Sequence, residues 1–274
     1  ERLAVALLFI RGGSLTGSTV LHGTGELEDA DTLAAFIQRY YDAERSIPDA
    51  LLLPRALEDQ VALAEWLSDQ KGKRVRLSVP RRGEKLELVG LATRNAQAAL
   101  QEAGAAARGI EQTLEELRQK LVLPALPRRI ECYDISTLQG RHSVGSGVVF
   151  LDGAPDKQQY RRYRIRSVEG QDDFAMLQEV FTRRFSPQKI EAWGLPDLVV
   201  VDGGIGQLNS VLAIFDSLGL REQVPVVALA KSRVIGDGKD TAVERSEERV
   251  FLPGRRNPVR LRQDGAAIRL LAAI

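Results

Sequence analysis

The chain has 274 residues, with 38 Lys and Arg against 37 Asp and Glu, a formal net charge of +1. Its 44% hydrophobic and 27% charged content is that of a folded globular protein, which excludes disorder and a collagen-like repeat, and no apolar run nears the ~18 residues of a membrane span. The single cysteine, Cys132, excludes an internal disulfide framework and a Cys-based zinc site, and is compatible with a reducing cytoplasm. Length suggests about two domains, at roughly 150 residues each.

Arg2–Arg11 reads as a strand turned by Gly12-Gly13, with Leu15–Leu21 returning as its hairpin partner. Thr32–Ala43 has helical periodicity, with Asp31 as its cap. Ala50–Leu53 is a short buried strand ended by Pro54, Leu57–Lys71 a helix and Arg74–Pro80 a strand. From Leu88 to Lys120 the chain is rich in Ala, Glu, Gln, Leu and Arg and reads as long helical structure, stopped by Pro124 and Pro127. The domain boundary falls here: 1–105, a helical linker 106–127, then 128–274. Arg129–Ile135, Val144–Leu151 and Tyr160–Ser167 read as three strands, with Asp152-Gly153 as a turn, and Asp172–Phe185 as a helix. Pro196–Val201 and Val224–Ala230 are continuous apolar runs, the pattern of strands buried on both faces. Gly206–Leu218 is the helix between them. Arg249–Pro253 and Val259–Leu261 can form a hairpin, and Asp264 is placed to cap a last helix. Glu1 reads as mid-strand and Ile274 as mid-helix, so both ends read as cut.

The order of elements repeats. Pro48-Asp49-Ala50-Leu51-Leu52-Leu53-Pro54 aligns with Pro196-Asp197-Leu198-Val199-Val200-Val201-Asp202, each followed by a helix, a strand and an Ala-rich helix. The chain thus reads as two copies of one α/β unit, with Ala50–Leu53 expected to be central like Leu198–Val201. The halves differ in charge: residues 1–106 carry 13 basic and 15 acidic groups, residues 107–274 carry 25 and 22. The basic excess is clustered. Lys157, Arg161, Arg162, Arg164 and Arg166 form one group and Arg255, Arg256, Arg260 and Arg262 another, as expected of a phosphate-contacting face.

Two aspartates stand out. Asp134 is late in the strand Ile130-Glu131-Cys132-Tyr133-Asp134-Ile135, where an unpaired carboxylate is costly. Asp202 ends the apolar run before Gly203-Gly204-Ile205-Gly206, at the carboxyl end of a strand, where open α/β sheets bind ligands. Converging, the two can hold a divalent metal for phosphodiester hydrolysis. Asp173, opening a helix, could add a third carboxylate. The glycine loop could alternatively cradle a phosphate, although no Walker motif is present. His22 and His142, the only histidines, read as polar residues at hairpin turns. Trp66 and Trp193 read as core or rim residues.

Glu131-Cys132-Tyr133-Asp134-Ile135-Ser136 with Gln139-Gly140, Tyr160-Arg161, Asp172-Asp173-Phe174, Arg183-Arg184, Val201-Asp202-Gly203-Gly204 with Gly206-Gln207-Leu208, Ala230-Lys231 and Phe251-Leu252-Pro253-Gly254 resemble the C-terminal half of the UvrC family, a component of the bacterial excinuclease of nucleotide excision repair. The resemblance covers about 128–274, and the preceding segment more loosely. It implies α/β architecture with two RNase H-like units in tandem, mixed sheets flanked by helices, the second of them endonuclease V-like. It implies a metal-dependent DNA endonuclease cutting 5′ to a lesion, with Mg2+ or Mn2+ on Asp134 and Asp202, and Asp173 at a further acidic position of that site. Lys157, Arg161, Arg162, Arg164, Arg166, Arg183, Arg184, Lys231, Arg255 and Arg256 are then expected to bind DNA. The partners implied are damaged double-stranded DNA and the UvrB–DNA complex, in the bacterial cytoplasm, with no membrane. The family's third core residue, a histidine in the helix begun by Ala266–Ile274, is not in this chain, so the chain alone is expected to be nearly inactive. Ile205 departs from the family's usual Lys between the glycines. The first unit, with no Asp or Glu from Leu3 through Gly25 and Pro54 at the place of Asp202, is expected to be a platform that cannot cut. Two other readings stay open: a non-catalytic scaffold or docking module, and an RNase H-fold phosphotransferase gripping a nucleotide with Gly203–Gly206.

Overall fold

In a computed structural model of the chain, residues 2–24, 29–43, 45–138, 142–166, 168, 172–230, 234–235, 244–245 and 248–274 are described. The chain divides into two compact units, Glu1–Ala107 and Arg108–Ile274.

The first unit opens with the antiparallel hairpin β1 (Arg2–Arg11) and β2 (Ser14–Thr24). Its turn, Gly12-Gly13, has φ of 56° and 79°, the doubly positive pair that a tight two-residue hairpin needs and that glycine adopts without strain. Helix α1 (Asp29–Tyr41), strand β3 (Ala50–Leu52), helix α2 (Gln60–Lys71) and strand β4 (Arg76–Ser78) follow, with β3 and β4 parallel. Ile37 and Tyr41 of α1 and Leu63 and Leu67 of α2 form the core with Leu53, Leu57 and Val75. Two expectations fail here. Asp31 lies inside α1, which begins at Asp29, so it is a first-turn charge rather than a cap. Ala50–Leu53 is not central: β3 pairs only with β4, and β1 with β2 forms a separate sheet among the described residues.

Helix α3 (Glu84–Leu121) runs unbroken for 38 residues. Its end is a Schellman motif: Leu123 N–H donates to Arg118 C=O at 2.8 Å and Val122 N–H to Gln119 C=O at 3.4 Å. The left-handed position of that motif is taken by Val122, with φ of 56°. A β-branched residue there costs about 1–2 kcal/mol. Val122 is 68% exposed, so its side chain returns little by burial. Val122→Gly is therefore expected to raise unfolding free energy by about 1 kcal/mol, read by chemical denaturation; a decrease would show that the valine is held by contacts rather than tolerated.

The second unit is built on a seven-stranded sheet. Its strands are β5 (Arg129–Leu138), β6 (His142–Leu151), β7 (Ala154–Pro155), β8 (Arg161–Arg164), β9 (Leu198–Asp202), β10 (Val226–Ala230) and, after the paired two-residue strands β11 (Val234–Ile235) and β12 (Glu244–Arg245), β13 (Arg249–Phe251). The order is β13-β10-β9-β5-β6, with β7 and β8 sharing the outer edge of β6. Strands β5, β9 and β10 are parallel; β6 and β13 are antiparallel to their neighbours. The expected closing hairpin is reduced to β13 and a bridge between Val250 and Val259.

Apolar runs in β9 and β10 are explained by cover on both faces. Leu198 and Val200 meet Leu114, Leu117 and Leu121 of α3 and Ile268 and Leu271 of α7 (Ala266–Ala273). Val199 and Val201 meet Val180 and Phe181 of α4 (Asp173–Arg184) and Leu208 and Phe215 of α6 (Ile205–Ser217). Helix α5 (Pro187–Trp193), short and without strong periodicity, was not visible in the sequence. Gly145 and Gly147 allow the close approach on the α4 face, since a Cβ would stand 2.6 Å from Val180 and 2.9 Å from Tyr133. Asp264 does not cap α7; the cap position is Gly265, and Asp264 pairs with Arg262 at 3.2 Å.

Candidate metal centre

Sheet register places the two aspartates. Across the parallel pair β5 and β9, Cys132 faces Val200 and Tyr133 faces Val201, so Asp134 and Asp202 occupy the next level. Neighbouring strands lie about 4.8 Å apart. Residues level on adjacent parallel strands share a face. Here that face is the one of Leu198, Val200 and α7, because Tyr133 and Val201 point to α4 and α6. The same level continues outward: Asp202 is opposite Leu229, Leu229 opposite Val250, Asp134 opposite Ser146, and Ser146 opposite Arg162. One row thus crosses six strands, apolar at Val250 and Leu229 under α7 and polar from Asp202 to Arg162. Asp134 is exposed and Asp202 half-buried at the middle of that row.

Asp173 does not join them. Helix α4 runs antiparallel to β5, since Arg184 meets Glu131 and Phe181 meets Tyr133. Its N-terminus therefore projects past the carboxyl end of β5, but on the opposite face. Asp172, not Asp173, caps the helix by accepting from Ala175 N–H at 3.0 Å.

The expected DNA-binding residues are divided by strand alternation. On β8, Tyr163 is buried on the α4 face, so Arg162 and Arg164 stand exposed on the aspartate face. Arg161 points the other way and stacks on Trp193 at 4.9 Å. Arg183 also lies on the α4 side, over Tyr163 at 5.4 Å with its Nη1 donating to Arg164 C=O at 2.9 Å. Lys157 precedes β8, at the end of the sheet away from Asp134, while exposed Arg166 follows it. Arg255 and Arg256, though exposed, lie in the loop beyond β13, which runs away from the level of Asp202. Lys231 lies outside the described residues. Arg184 is a correction: it is 1% exposed and committed to the interior, so it cannot meet DNA. His22 is exposed within β2 opposite Ala4 rather than in the turn, and the side chain of His142 lies outside the described residues.

Sequence reading missed the partner of Arg184. Glu131, 1% exposed, accepts from Arg184 Nε at 2.9 Å and Nη2 at 2.7 Å, from Arg129 Nε at 2.8 Å and from Tyr133 OH at 2.6 Å. Burial pushes its carboxyl up, but the hydrogen bonds and charge of Arg184, with Tyr133 and Arg129, outweigh it and hold the carboxyl below its ordinary value. Burial, then the Glu131 charge, pushes the Tyr133 hydroxyl far up. Glu131 shares the α4 face with Tyr133, so this network braces the strand that carries Asp134 from the side opposite the aspartate. The only signal was a glutamate in an otherwise apolar strand start.

Among the described residues no three His, Cys, Asp or Glu side chains gather into a ligand cluster. Two hard oxygen donors at one level still fit a divalent cation of the Mg2+ type, which takes one or two carboxylates and completes its shell with water and phosphate oxygens.

Residues 118–274 match the family model of the UvrC RNase H endonuclease domain, and residues 1–103 that of the UvrC Ribonuclease H-like domain. The chain belongs to the UvrC family. The UvrABC system protein C of Trichlorobacter lovleyi is 72% identical over the whole chain, and that of Geobacter metallireducens 52% over 99% of it. The chain spans 45% and 44% of those relatives' lengths. Among solved structures, endonuclease V of Ciona intestinalis bound to an inosine-containing 23-mer DNA aligns with 54% of the chain and 78% of its own, at 13% identity and a TM-score of 0.32. Argonaute of Marinitoga piezophila with guide RNA and target DNA covers 84% of the chain and 37% of its own, at 12% identity and 0.32. The α/β architecture with two RNase H-like units in tandem agrees with both family models.

Proposed function

We propose that this chain supplies the nuclease centre of a bacterial excision-repair enzyme, hydrolysing a DNA phosphodiester 5′ to a lesion. The observation that carries it is the level placement of Asp134 and Asp202 on adjacent strands, in a segment matched by the UvrC RNase H endonuclease model. Mg2+ or Mn2+ held by those two carboxylates would supply Lewis-acid polarisation of the phosphoryl group and an activated water. Arg162 and Arg164 guide the backbone phosphates toward the pair, and damaged double-stranded DNA presented by a UvrB complex in the cytoplasm is the substrate. The first unit, 1–105, is a non-cutting platform joined through 106–127 to the nuclease unit 128–274.

One observation speaks against the phosphotransferase alternative. Gly203 N–H already donates to Leu229 C=O at 3.0 Å and Gly204 N–H to Gln207 Oε1 at 3.2 Å, so these donors of the loop are not free for a phosphate. Mn2+, and not ATP, is expected to raise the melting temperature of the chain, through preferential binding to the native state. Stabilisation by ATP with none by Mn2+ would reverse the assignment.

The basic residues are tested by salt dependence. Each lost phosphate contact lowers the slope of log affinity against log salt by about 0.9 on duplex DNA. Changing Arg162 and Arg164 together to Gln is expected to flatten that slope by up to about two such units, and changing Arg161 and Arg183 to leave it unaltered. Equal effects from both pairs would remove the aspartate face as the DNA face.

A further inference from the structure

Asp202 is the last residue of β9, and the chain leaves it through Gly203-Gly204-Ile205-Gly206, three glycines in four positions. Glycine loses more backbone freedom on ordering than any other residue, so a carboxylate at the edge of such a turn is held only as well as the turn is. A cation of the Mg2+ type demands near-ideal octahedral geometry from its ligands. One side of the turn is tied to the sheet: Gly203 N–H extends the ladder to Leu229 C=O at 3.0 Å.

Gln207 ties the other side. Its exposed side chain folds back from the first turn of α6 over the glycines instead of extending into water, and Oε1 accepts from Gly204 N–H at 3.2 Å. Gly203, with φ of 139°, presents its Cα to the same side chain: a Cβ there would stand 2.8 Å from Gln207 Cδ and 2.9 Å from Cγ. Leu208 N–H donates to Gly204 C=O at 3.1 Å, so Gly204 is held at both its polar atoms. A glutamine three positions after the cap residue is one half of a capping box. The other half is missing, because the cap residue Gly204 has no side chain to offer α6. What Gln207 secures is the backbone that leaves Asp202.

We propose that Gln207 is a positioning residue for Asp202, fixing the Gly203-Gly204 turn and, through it, the carboxylate offered to the metal. The inference rests on the nuclease reading above. Each of the two aspartate-bearing strands then has its own brace from a helix of the α4 and α6 face: β5 through Glu131 and Arg184, β9 through Gln207.

The test is Mn2+ binding to the 274-residue chain, followed by the electron paramagnetic resonance of free Mn2+, beside metal-free melting and amide exchange of Gly203 and Gly204 by NMR. Gln207→Leu keeps the length of the side chain and suits a helix, but gives Gly204 N–H no acceptor. Its Kd for Mn2+ is expected to weaken by about tenfold, the lower end of the range for lost orienting partners of metal ligands, with faster exchange at Gly204 N–H. Gln207→Glu retains an oxygen acceptor and should bind Mn2+ at least as tightly as the parent, with slow exchange restored. Parent-like Mn2+ affinity in Gln207→Leu would overturn the proposal. So would a lowered melting temperature in Gln207→Leu without a change in Kd, which marks a helix cap and nothing more, or a Gln207→Glu variant as weak as Gln207→Leu. A parent chain that binds no Mn2+ would overturn the nuclease reading and this inference together, whereas equal binding by parent and variants removes only the inference.

Discussion

Asp134→Asn and Asp202→Asn are each expected to abolish stabilisation of the chain by Mn2+ while leaving its metal-free melting temperature within a degree or two. The amide keeps the size and shape of the carboxylate, so packing around β5 and β9 is preserved. It removes the anionic oxygen that a hard divalent cation requires. Loss of a partner that merely orients a metal ligand costs about 10–100-fold in metal affinity or activity, so loss of a ligand itself should exceed about 100-fold. Under the function proposed above, the corresponding changes in the full-length Trichlorobacter lovleyi relative should lower cutting of damaged DNA by more than that factor. Asp173→Asn makes the contrast. It stands on the opposite face, so Mn2+ stabilisation should survive it. If either Asn variant still binds Mn2+ like the parent, the pair is not the metal centre. If Asp173→Asn alone removes binding, the face assignment derived from strand register is wrong.

Much of this centre was legible in the sequence because it rests on strands. An apolar run ending in Asp and Gly fixes a buried parallel strand and its ligand-facing end, and the 68 positions separating Asp134 from Asp202 are the register offset that pairs Tyr133 with Val201. What failed was set by alternation and by long-range pairing. A cluster of arginines in a row reads as one surface, yet a strand sends Arg161 and Arg162 to opposite faces, one onto Trp193 and the other toward Asp134. Adjacent Arg183 and Arg184 look alike, but the helix turns one outward and the other onto Glu131, 53 positions earlier. The tandem arrangement was visible as element order, whereas the separation of β3 and β4 from the β1–β2 hairpin among the described residues was not, because local pattern carries no record of which edges meet.

The buried Glu131 network gives the largest stability effects expected in the molecule. Glu131→Met should cost about 3–5 kcal/mol, the loss typical when one partner of a buried ion pair is removed. It strands Arg184, 1% exposed, with only the Gly194 carbonyl as acceptor, deprives the Tyr133 hydroxyl of its acceptor and leaves Arg129 with Gln159 Oε1 alone among side chains. Arg184→Met should cost less, because Glu131 retains Arg129 and Tyr133. The double change to Met should recover part of the loss, since an apolar pair of similar volume avoids the desolvation of both charges. The pH dependence has a definite sign. The folded-state carboxyl lies below its ordinary value, so its contribution is present above the unfolded value, about 4.3, and fades as pH falls through the lower folded one. The stability gap between the parent and Glu131→Met should therefore be constant near neutrality and narrow below about pH 4. Denaturant titrations of the three variants at pH 7 and pH 3.5 provide the measurement. A loss under about 1 kcal/mol for Glu131→Met, or a gap that widens in acid, would mean that the network is solvated in solution and does not brace the strand bearing Asp134.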